Sequence, residues 1–249
     1  MEVLFWSAPT VAENIAFDEK MARSAFSTQR RVLRFWWGGP PAVVIGLNER
    51  PEQSVNSAAC TELGVDVVKR CTGGGTVLQT SGVLNYSLVT PAPDRLDPMA
   101  GFRQGTDLIR ALLEAFGLVG VVQGICDVAV AGRKISGNAQ ARRWRSLLVH
   151  GTLLVDFDMG LAEKVLPHPP QEPAYRRARR HRDFLVTLRA LGVDASRATV
   201  EKAALQVGQR LFRPAFGSGA SAQLAFDLPA QSALQASRAA LPLSLGGAQ

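Results

Sequence analysis

Two short segments hold the residues whose types and spacing could do chemistry. The first, Arg70-Cys71-Thr72-Gly73-Gly74-Gly75-Thr76, sets three glycines in a row behind an arginine. With no side chains in the way, successive backbone N–H groups can approach an anionic group there. Arg70 adds a planar, permanently charged fork suited to phosphate or carboxylate. The run has neither a Walker-type GK[ST] ending nor a GxGxxG pattern. Taken alone, it fits a plain turn beside a surface arginine as well as it fits an anion cradle.

The second segment runs from Asp127 to Gln140, DVAVAGRKISGNAQ, and reads as two short strands around a turn at Ala131-Gly132. Alternation places Asp127, Ala129 and Ala131 on one face and Lys134 and Ser136 on another. The small residues Ser136, Gly137 and Ala139 after Lys134 leave room for a ligand against the backbone. A fixed ammonium would polarise an acyl carbonyl or an α-phosphate by meeting the negative charge that develops there. Asp127 could orient that lysine or help hold magnesium. A basic surface hairpin would give the same pattern. Cys126, just before the segment, is a candidate nucleophile or a small buried side chain.

The elements that must position these segments follow from periodicity. Glu13 to Ser27 has apolar residues at near-helical spacing. Val32 to Trp37 and Ala42 to Gly46 are β-rich runs joined by GGPP and read as a hairpin. Ser54 to Leu63 reads as helix, and Val65 to Arg70, Thr76 to Leu78 and Leu84 to Val89 read as strands. Phe102 to Phe116 carries Leu108, Ile109, Leu112, Leu113 and Phe116 on one face, with Gly117 as a cap. Val119 to Val122, Asp127 to Ala131 and Leu147 to Phe157 suggest an antiparallel sheet. Arg182 to Leu191 and Thr199 to Phe212 read as C-terminal helices. The order neither alternates strand and helix strictly nor repeats, so the fold class is α+β, a mixed and mainly antiparallel sheet packed with helices. The expected division is an N-terminal helix, residues 1–28, packed on a catalytic domain, 29–215, with a frayed or weakly helical tail, 216–249.

At 249 residues and 47% apolar content, the chain can bury a sizeable core. The longest apolar-looking stretch, Ala111 to Ala131, is interrupted by Glu114, Gln123 and Asp127, which argues against a membrane span. The first residues lack the pattern of a secretory leader. Cys60, Cys71 and Cys126 are scattered, which fits a reducing cytoplasm. His150, His168 and His181 form no metal-binding spacing, so no metal held by the protein alone is expected. A net charge of +7, with basic runs at Arg142 to Arg145 and Tyr175 to Phe184, would steer acidic partners or simply face solvent.

In order, KRCTGGGTV, LNYSL, CDVAVAGRKISGNAQ and VHGTLLVDFDM resemble the catalytic domain of the lipoate–protein ligase and octanoyltransferase family. The resemblance runs from about Arg31 to about Leu191, with the helix from Glu13 before it. It implies a biotin/lipoate ligase-like fold and an acyl-transfer enzyme. By this resemblance Arg70, Gly73, Gly74 and Gly75 would form the loop beside an acyl-nucleotide, and Asn85 would line the acyl pocket. Lys134 would be the catalytic lysine, contacting acyl carbonyl and phosphate. Asp127, Ser136 and Gly137 would support it, with His150-Gly151-Thr152 on the neighbouring strand. Where many members carry His-Asp after the glycines, this chain has Gln79-Thr80, so an amide stands where an imidazole would. The stretch from Pro173 to Phe184 marks the same variant branch.

The leading expectation from the resemblance is ligation: ATP with its magnesium would activate lipoate or octanoate as an acyl-adenylate. The acyl group would then pass to a lysine of an acidic lipoyl-acceptor domain. The alternatives are octanoyl transfer from acyl carrier protein through a cysteine, for which Cys126 is the candidate, and a non-catalytic lipoyl-domain-binding relative. Biotin ligation is disfavoured by the lack of a GRGR-type loop. Nucleic-acid binding is disfavoured by the lack of a helix-turn-helix or zinc module.

Overall fold

Thr10 and Glu13 start the first helix by capping each other. The Thr10 hydroxyl accepts from the Glu13 N–H at 3.2 Å, and the Glu13 carboxylate accepts from the Thr10 N–H at 2.9 Å. This box satisfies two of the donors that a helix start leaves open. The helix, α1 (Val11–Thr28), stops where Gln29 turns left-handed at φ 51°. Its buried face carries Val11, Ile15, Met21, Ala22 and Ala25, but also Asn14 and Asp18.

The computed structural model describes residues 1–92, 97 and 99–212; the tail expected at 216–249 lies outside them. A strand unread in the sequence, β1 (Glu2–Phe5), precedes α1 and pairs in parallel with β2 (Val32–Trp37). The chain continues through β3 (Ala42–Ile45), the short helices α2 (Pro51–Ser54) and α3 (Ser57–Glu62), β4 (Asp66–Lys69), β5 (Val77–Gln79) and β6 (Val83–Pro91). After α4 (Ala100–Ala115) come β7 (Val121–Gln123), β8 (Asp127–Val130), β9 (Arg133–Ser136), β10 (Asn138–Arg143) and β11 (Ser146–Leu154). Three helices follow: α5 (Met159–Val165), α6 (His181–Phe184) and α7 (Arg197–Leu211). The main sheet has the order β1-β2-β6-β11-β10, and two three-stranded sheets have the orders β4-β3-β5 and β7-β8-β9. The fold is α+β, and its pairings are mixed but mainly antiparallel.

Strand β2 shows how the main sheet is covered on both faces, since all six of its residues are buried. Alternate side chains go opposite ways. Leu33, Phe35 and Trp37 enter the large core with Leu108 and Leu112 of α4 and Val200 and Val207 of α7. Trp36 joins Val11 and Ile15 of α1 on the other side. Arg34, also on that side, meets Asp18 of α1 at 2.7 Å. Its guanidinium donates to the Trp6 and Asn14 carbonyls and lies 4.8 Å from the ring centres of Trp6 and Phe17. The second Asp18 oxygen accepts from Ser87 of β6. The buried pair thus ties α1 to two central strands.

Four expectations change. The runs Val119 to Val122, Asp127 to Ala131 and Leu147 to Phe157 do not share one sheet: β7 and β8 pair with each other and β8 with β9, while β11 pairs with β6 and β10. The runs of β2 and β3 form no hairpin, because they lie in different sheets. A Cβ on Gly38 would come 2.2 Å from the Thr80 carbonyl oxygen, so GGPP carries the chain closely past β5's end and into the second sheet. Arg182 to Leu191 is helical only at its two ends, in α6 and in a single 3-10 turn at Arg189–Leu191. The Val186 N–H donates to the Lys134 carbonyl at 2.9 Å, so the backbone there extends along β9 rather than coiling. Ser54 to Leu63 splits in two, because Asn56 caps α3 by accepting from the Ala59 N–H at 3.2 Å. No helix among the described residues is long and apolar enough to cross a membrane.

Removing one partner of a buried, hydrogen-bonded ion pair strands the other charge, typically at a cost of about 3–5 kcal/mol. Asp18→Ala should therefore lower the unfolding free energy by about that much in a urea titration. A loss within about 0.5 kcal/mol, the usual scale for a surface substitution, would show that the pair does not anchor α1.

Candidate active site

Pairing between β6 and β11 sets which side chains face the site. Nine residue pairs in unbroken register place Asn85 opposite Thr152 and Ser87 opposite His150. Next to them β10 pairs Asn138 with Gly151. A Cβ on Gly151 would meet the Asn138 side chain at 2.1 Å, so glycine leaves the room that Asn138 occupies. Asn138 accepts from the Tyr86 hydroxyl at 2.6 Å and donates to the Cys126 carbonyl at 2.6 Å. A residue not singled out in the sequence thus links β10, β6 and the turn before β8 in the cavity wall.

Lys134 rises from β9, whose partner β8 carries Asp127. A register shift between Val128 and Ala129 bends this pair, and Ala129 lies opposite Lys134. The lysine Nζ is 2.8 Å from Asp127 Oδ1. Alternation within each strand had put these two on different faces; the cross-strand register brings them together. The Tyr175 hydroxyl donates to the other Asp127 oxygen at 2.9 Å. A Cβ on Gly137 would lie 2.9 Å from the Lys134 Nζ, so the lysine lies across a bare patch of backbone.

Facing it is the glycine loop between β4 and β5. Arg70 is turned into this loop: Nη2 donates to the Gly73 and Gly75 carbonyls at 2.7 and 2.8 Å, and Nη1 to the Val44 carbonyl at 3.3 Å. The expected open fork is therefore a brace, with its guanidinium buried. Burial pushes its pKa down to about 10. With loop carbonyls turned to Arg70, the amide hydrogens of Gly73, Gly74 and Gly75 meet no acceptor among the described residues. Gly74 sits at φ +86°, and Gly46 approaches so closely that a Cβ on it would be 1.8 Å from the Gly74 oxygen. Gly46, unread in the sequence, is as necessary to the loop's seat as the three glycines.

Arg70 Nε donates to the Thr72 hydroxyl at 2.9 Å, which leaves the hydroxyl proton for His150 Nε2, 2.7 Å away. Burial, and then the charge of Arg70, depress the His150 pKa to about 3. Its ring is thus neutral and joins loop to sheet. Gln79 and Asn85 pair their amides reciprocally, at 2.8 and 3.0 Å. Cys126 donates its thiol to the Asn138 carbonyl at 3.0 Å, and burial with the nearby Asp127 charge pushes its pKa up to about 11.

These residues surround one cavity of about 660 Å³. Lys134, Arg70, Gly74, Gly75, Gln79, Asn85, Asp127, Ser136, Gly137, His150, Gly151 and Cys126 all line it. Gly73 contributes its carbonyl to Arg70 instead. The basic run from Tyr175 to Phe184 is less of an open patch than its composition implies. Arg176 is buried in the cavity wall, Arg180 and Arg182 both pair with Glu163, and Arg179 donates to the Gly132, Tyr175 and Arg176 carbonyls. No group of three or more candidate metal ligands lies together among the described residues.

Residues 10–208 match the family described as the lipoyl protein ligase A/B catalytic domain. The chain belongs to this family. It is 33% identical over 143 residues to the lipoate-protein ligase LplJ of Bacillus subtilis, covering 57% of this chain and 42% of that one. It is 30% identical over 192 residues to the octanoyltransferase LipM of Carboxydothermus hydrogenoformans, covering 69% and 71%. The chain spans about half the length of the curated ligases it matches. Its fold is similar to that of lipoate-protein ligase A bound with ATP, with TM-score 0.73 and 25% identity over 84% of each chain. A bi-partite lipoate protein ligase from Thermoplasma acidophilum, described with its E2 lipoyl domain, has TM-score 0.73 and 28% identity, covering 84% of this chain and 82% of that one. This is an enzyme family that includes both lipoate ligases and octanoyltransferases.

The neutral His150 gives a pH signature. Its folded pKa of about 3 lies below the ordinary 6.5, so between those values the unfolded chain holds a proton that the folded chain does not. That contribution to stability is complete above about pH 6.5 and is lost as pH falls from there toward about 3. In His150→Gln the acid limb of a stability–pH curve should flatten by up to about 1.4 kcal/mol per pH unit. Urea titrations at several pH values check this; an unchanged slope would mean that His150 titrates freely in the folded chain.

Proposed function

We propose that this chain is an ATP-dependent acyl–protein ligase acting on lipoate or octanoate. The supporting observation is Lys134, held by Asp127 across Gly137 and facing a glycine loop with unmet amide donors. In the first step a carboxylate oxygen of the acid attacks the α-phosphorus of ATP and pyrophosphate leaves. In the second, a lysine amine of an acceptor domain attacks the acyl carbonyl, the bond to AMP breaks, and the amine proton goes to solvent. Both steps build negative charge on oxygen, and a fixed ammonium with preset amide donors stabilises such charge without reorganising. Magnesium would arrive with the nucleotide. The acceptor is proposed to be a small acidic lipoyl domain, drawn by the chain's net charge of +7.

Octanoyl transfer through a cysteine is the second reading, favoured by the fuller coverage of the octanoyltransferase relatives, 71% and 78% of their lengths. Cys126 lies in the cavity, but a thiol with a pKa near 11 that donates to a carbonyl is mostly protonated at neutral pH and a weak nucleophile.

Lys134→Ala should reduce acid-dependent exchange of pyrophosphate into ATP by about 10²–10³-fold, while Cys126→Ser should keep most of the exchange. Near-normal exchange in a folded Lys134→Ala protein would contradict the role of the lysine. No exchange in the parent chain, with an acyl group found on Cys126 by mass spectrometry, would move the assignment to transfer.

A further inference from the structure

One basic run of the sequence, Arg142 to Arg145, lines no part of the cavity, and its charges are open where those of Arg180 and Arg182 are taken up by Glu163. It forms the turn between β10 and β11. Arg143 pairs with Ser146, so Trp144 and Arg145 are the two turn residues, each at φ 55°. Glycine or asparagine is the usual occupant of that left-handed backbone, and here two large side chains are displayed from it instead. The guanidinium of Arg23, from α1, lies 4.2 Å from the Trp144 ring centre, and that of Arg143 lies 5.0 Å from it. Arg145 lies 3.7 Å from the ring centre of Phe26. Such contacts fix a guanidinium's place and leave its N–H donors for another partner. Arg142, Arg143 and Arg145 are exposed, and none of them pairs with a carboxylate among the described residues. The neighbouring carboxylates are taken, Glu19 by Arg23 and Asp97 by Arg103.

The run also lies on the strand that leads to the site. On β10, Ala139, Ala141 and Arg143 share the face that carries His150 of β11. Ala139 lines the cavity, where a Cβ on Gly74 would lie 3.9 Å from it. Arg143 is further along the same strand, about 13 Å away. Burial above all pushes the Cys71 thiol up to about 11, and the Arg143 charge pulls against it just before the glycine loop. We propose that the β10–β11 turn, with Arg143, Arg145 and Arg23 around Trp144, is a docking surface for a small acidic protein domain that brings a lysine to the cavity. A domain about 30 Å across covers both places. Arginines already held by rings lose little freedom when carboxylates arrive, and their field speeds the encounter. Duplex DNA is a poorer fit, because its affinity comes from many neutralised phosphates, whereas these few arginines are flanked by Glu19 and Asp97. That the docked domain is the acyl acceptor rests on the reading given under Proposed function; the open charge of the turn does not.

The test compares the parent chain with the double variant Arg143→Gln, Arg145→Gln in three measurements: binding of an unmodified lipoyl domain of net negative charge without nucleotide, binding of duplex DNA, and octanoate-dependent exchange of pyrophosphate into ATP. The double variant should bind the domain about tenfold more weakly, through slower association, and exchange pyrophosphate at the parent rate. In about 1 M salt, where the screening length is about 3 Å, the two should bind alike. Weakened binding in the double variant, together with no exchange in the parent, would refute the ligase reading and leave the docking surface standing. Equal binding of the domain by both at low salt, including none by either, overturns the proposal, and exchange then decides the ligase reading separately. A weakening that salt does not change overturns it too, because the turn would then be disturbed rather than discharged. So does duplex DNA that binds the parent more tightly than the domain does and is lost in the double variant. Where the double variant does not fold, Arg143→Gln alone keeps Arg145 on Phe26 and carries the same test, with a weakening of about threefold expected.

Discussion

Register between β6 and β11 is the constraint on which the rest of the site depends. A strand's side chains alternate, so a slip of one residue would turn Asn85, Ser87, His150 and Thr152 from the α1 face to the α4 face. The nine pairs are held because each face is already occupied. Leu84, Tyr86, Leu88, Leu147, Val149 and Leu153 fill the large core with α4 and α7. On the opposite face Ser87 is fixed by Asp18, which is itself fixed by Arg34. Core packing and one buried ion pair thus select the same register. The cavity takes in Asn85, His150 and Thr152 of this polar row and Lys134 of β9, while Asn138 lines it beside Tyr86 from the opposite face of the sheet.

Around that frame, strongly polar groups shape backbone rather than face solvent. Arg70 holds the glycine loop by its carbonyls, Thr72 and His150 tie loop to sheet, and Tyr175 and Asp127 hold Lys134. Gly74 and Gly75 of the loop, whose amide hydrogens meet no acceptor among the described residues, and Lys134 all line the cavity. On the proposed function, this arrangement would set charge in place before a substrate enters, the condition under which electrostatic stabilisation is most effective.

Much of this was legible in the sequence, and the missing part has a common cause. Periodicity placed α1, β6, α4 and α7 within a few residues, because each buries a face against the core. The glycine loop and the lysine segment stood out through residue type, and the family resemblance joined them. What pattern alone could not give were contacts between distant segments: Tyr175 with Asp127, Thr72 with His150, and Asn138 between Tyr86 and Cys126. Gly46 was silent because its need for a missing Cβ comes from a loop folded back over it. The hairpin read from GGPP failed for the same reason, since turn composition says where a chain bends and not which sheet it enters. The basic run misled in the opposite direction, because composition counts charges without showing that Glu163, Glu172 and several carbonyls already take most of them up.

On the proposed function, the acid is activated as an adenylate at Lys134 before transfer. The most direct measurement follows oxygen. Octanoate carrying ¹⁸O in both carboxylate positions would be incubated with the chain, ATP, magnesium and an acceptor lipoyl domain, and the AMP produced analysed by mass spectrometry. If the acid attacks the α-phosphorus, each AMP released by acyl transfer carries one ¹⁸O. Acylated acceptor formed alongside unlabelled AMP, or formed from an acyl carrier thioester with no ATP present, would contradict the claim.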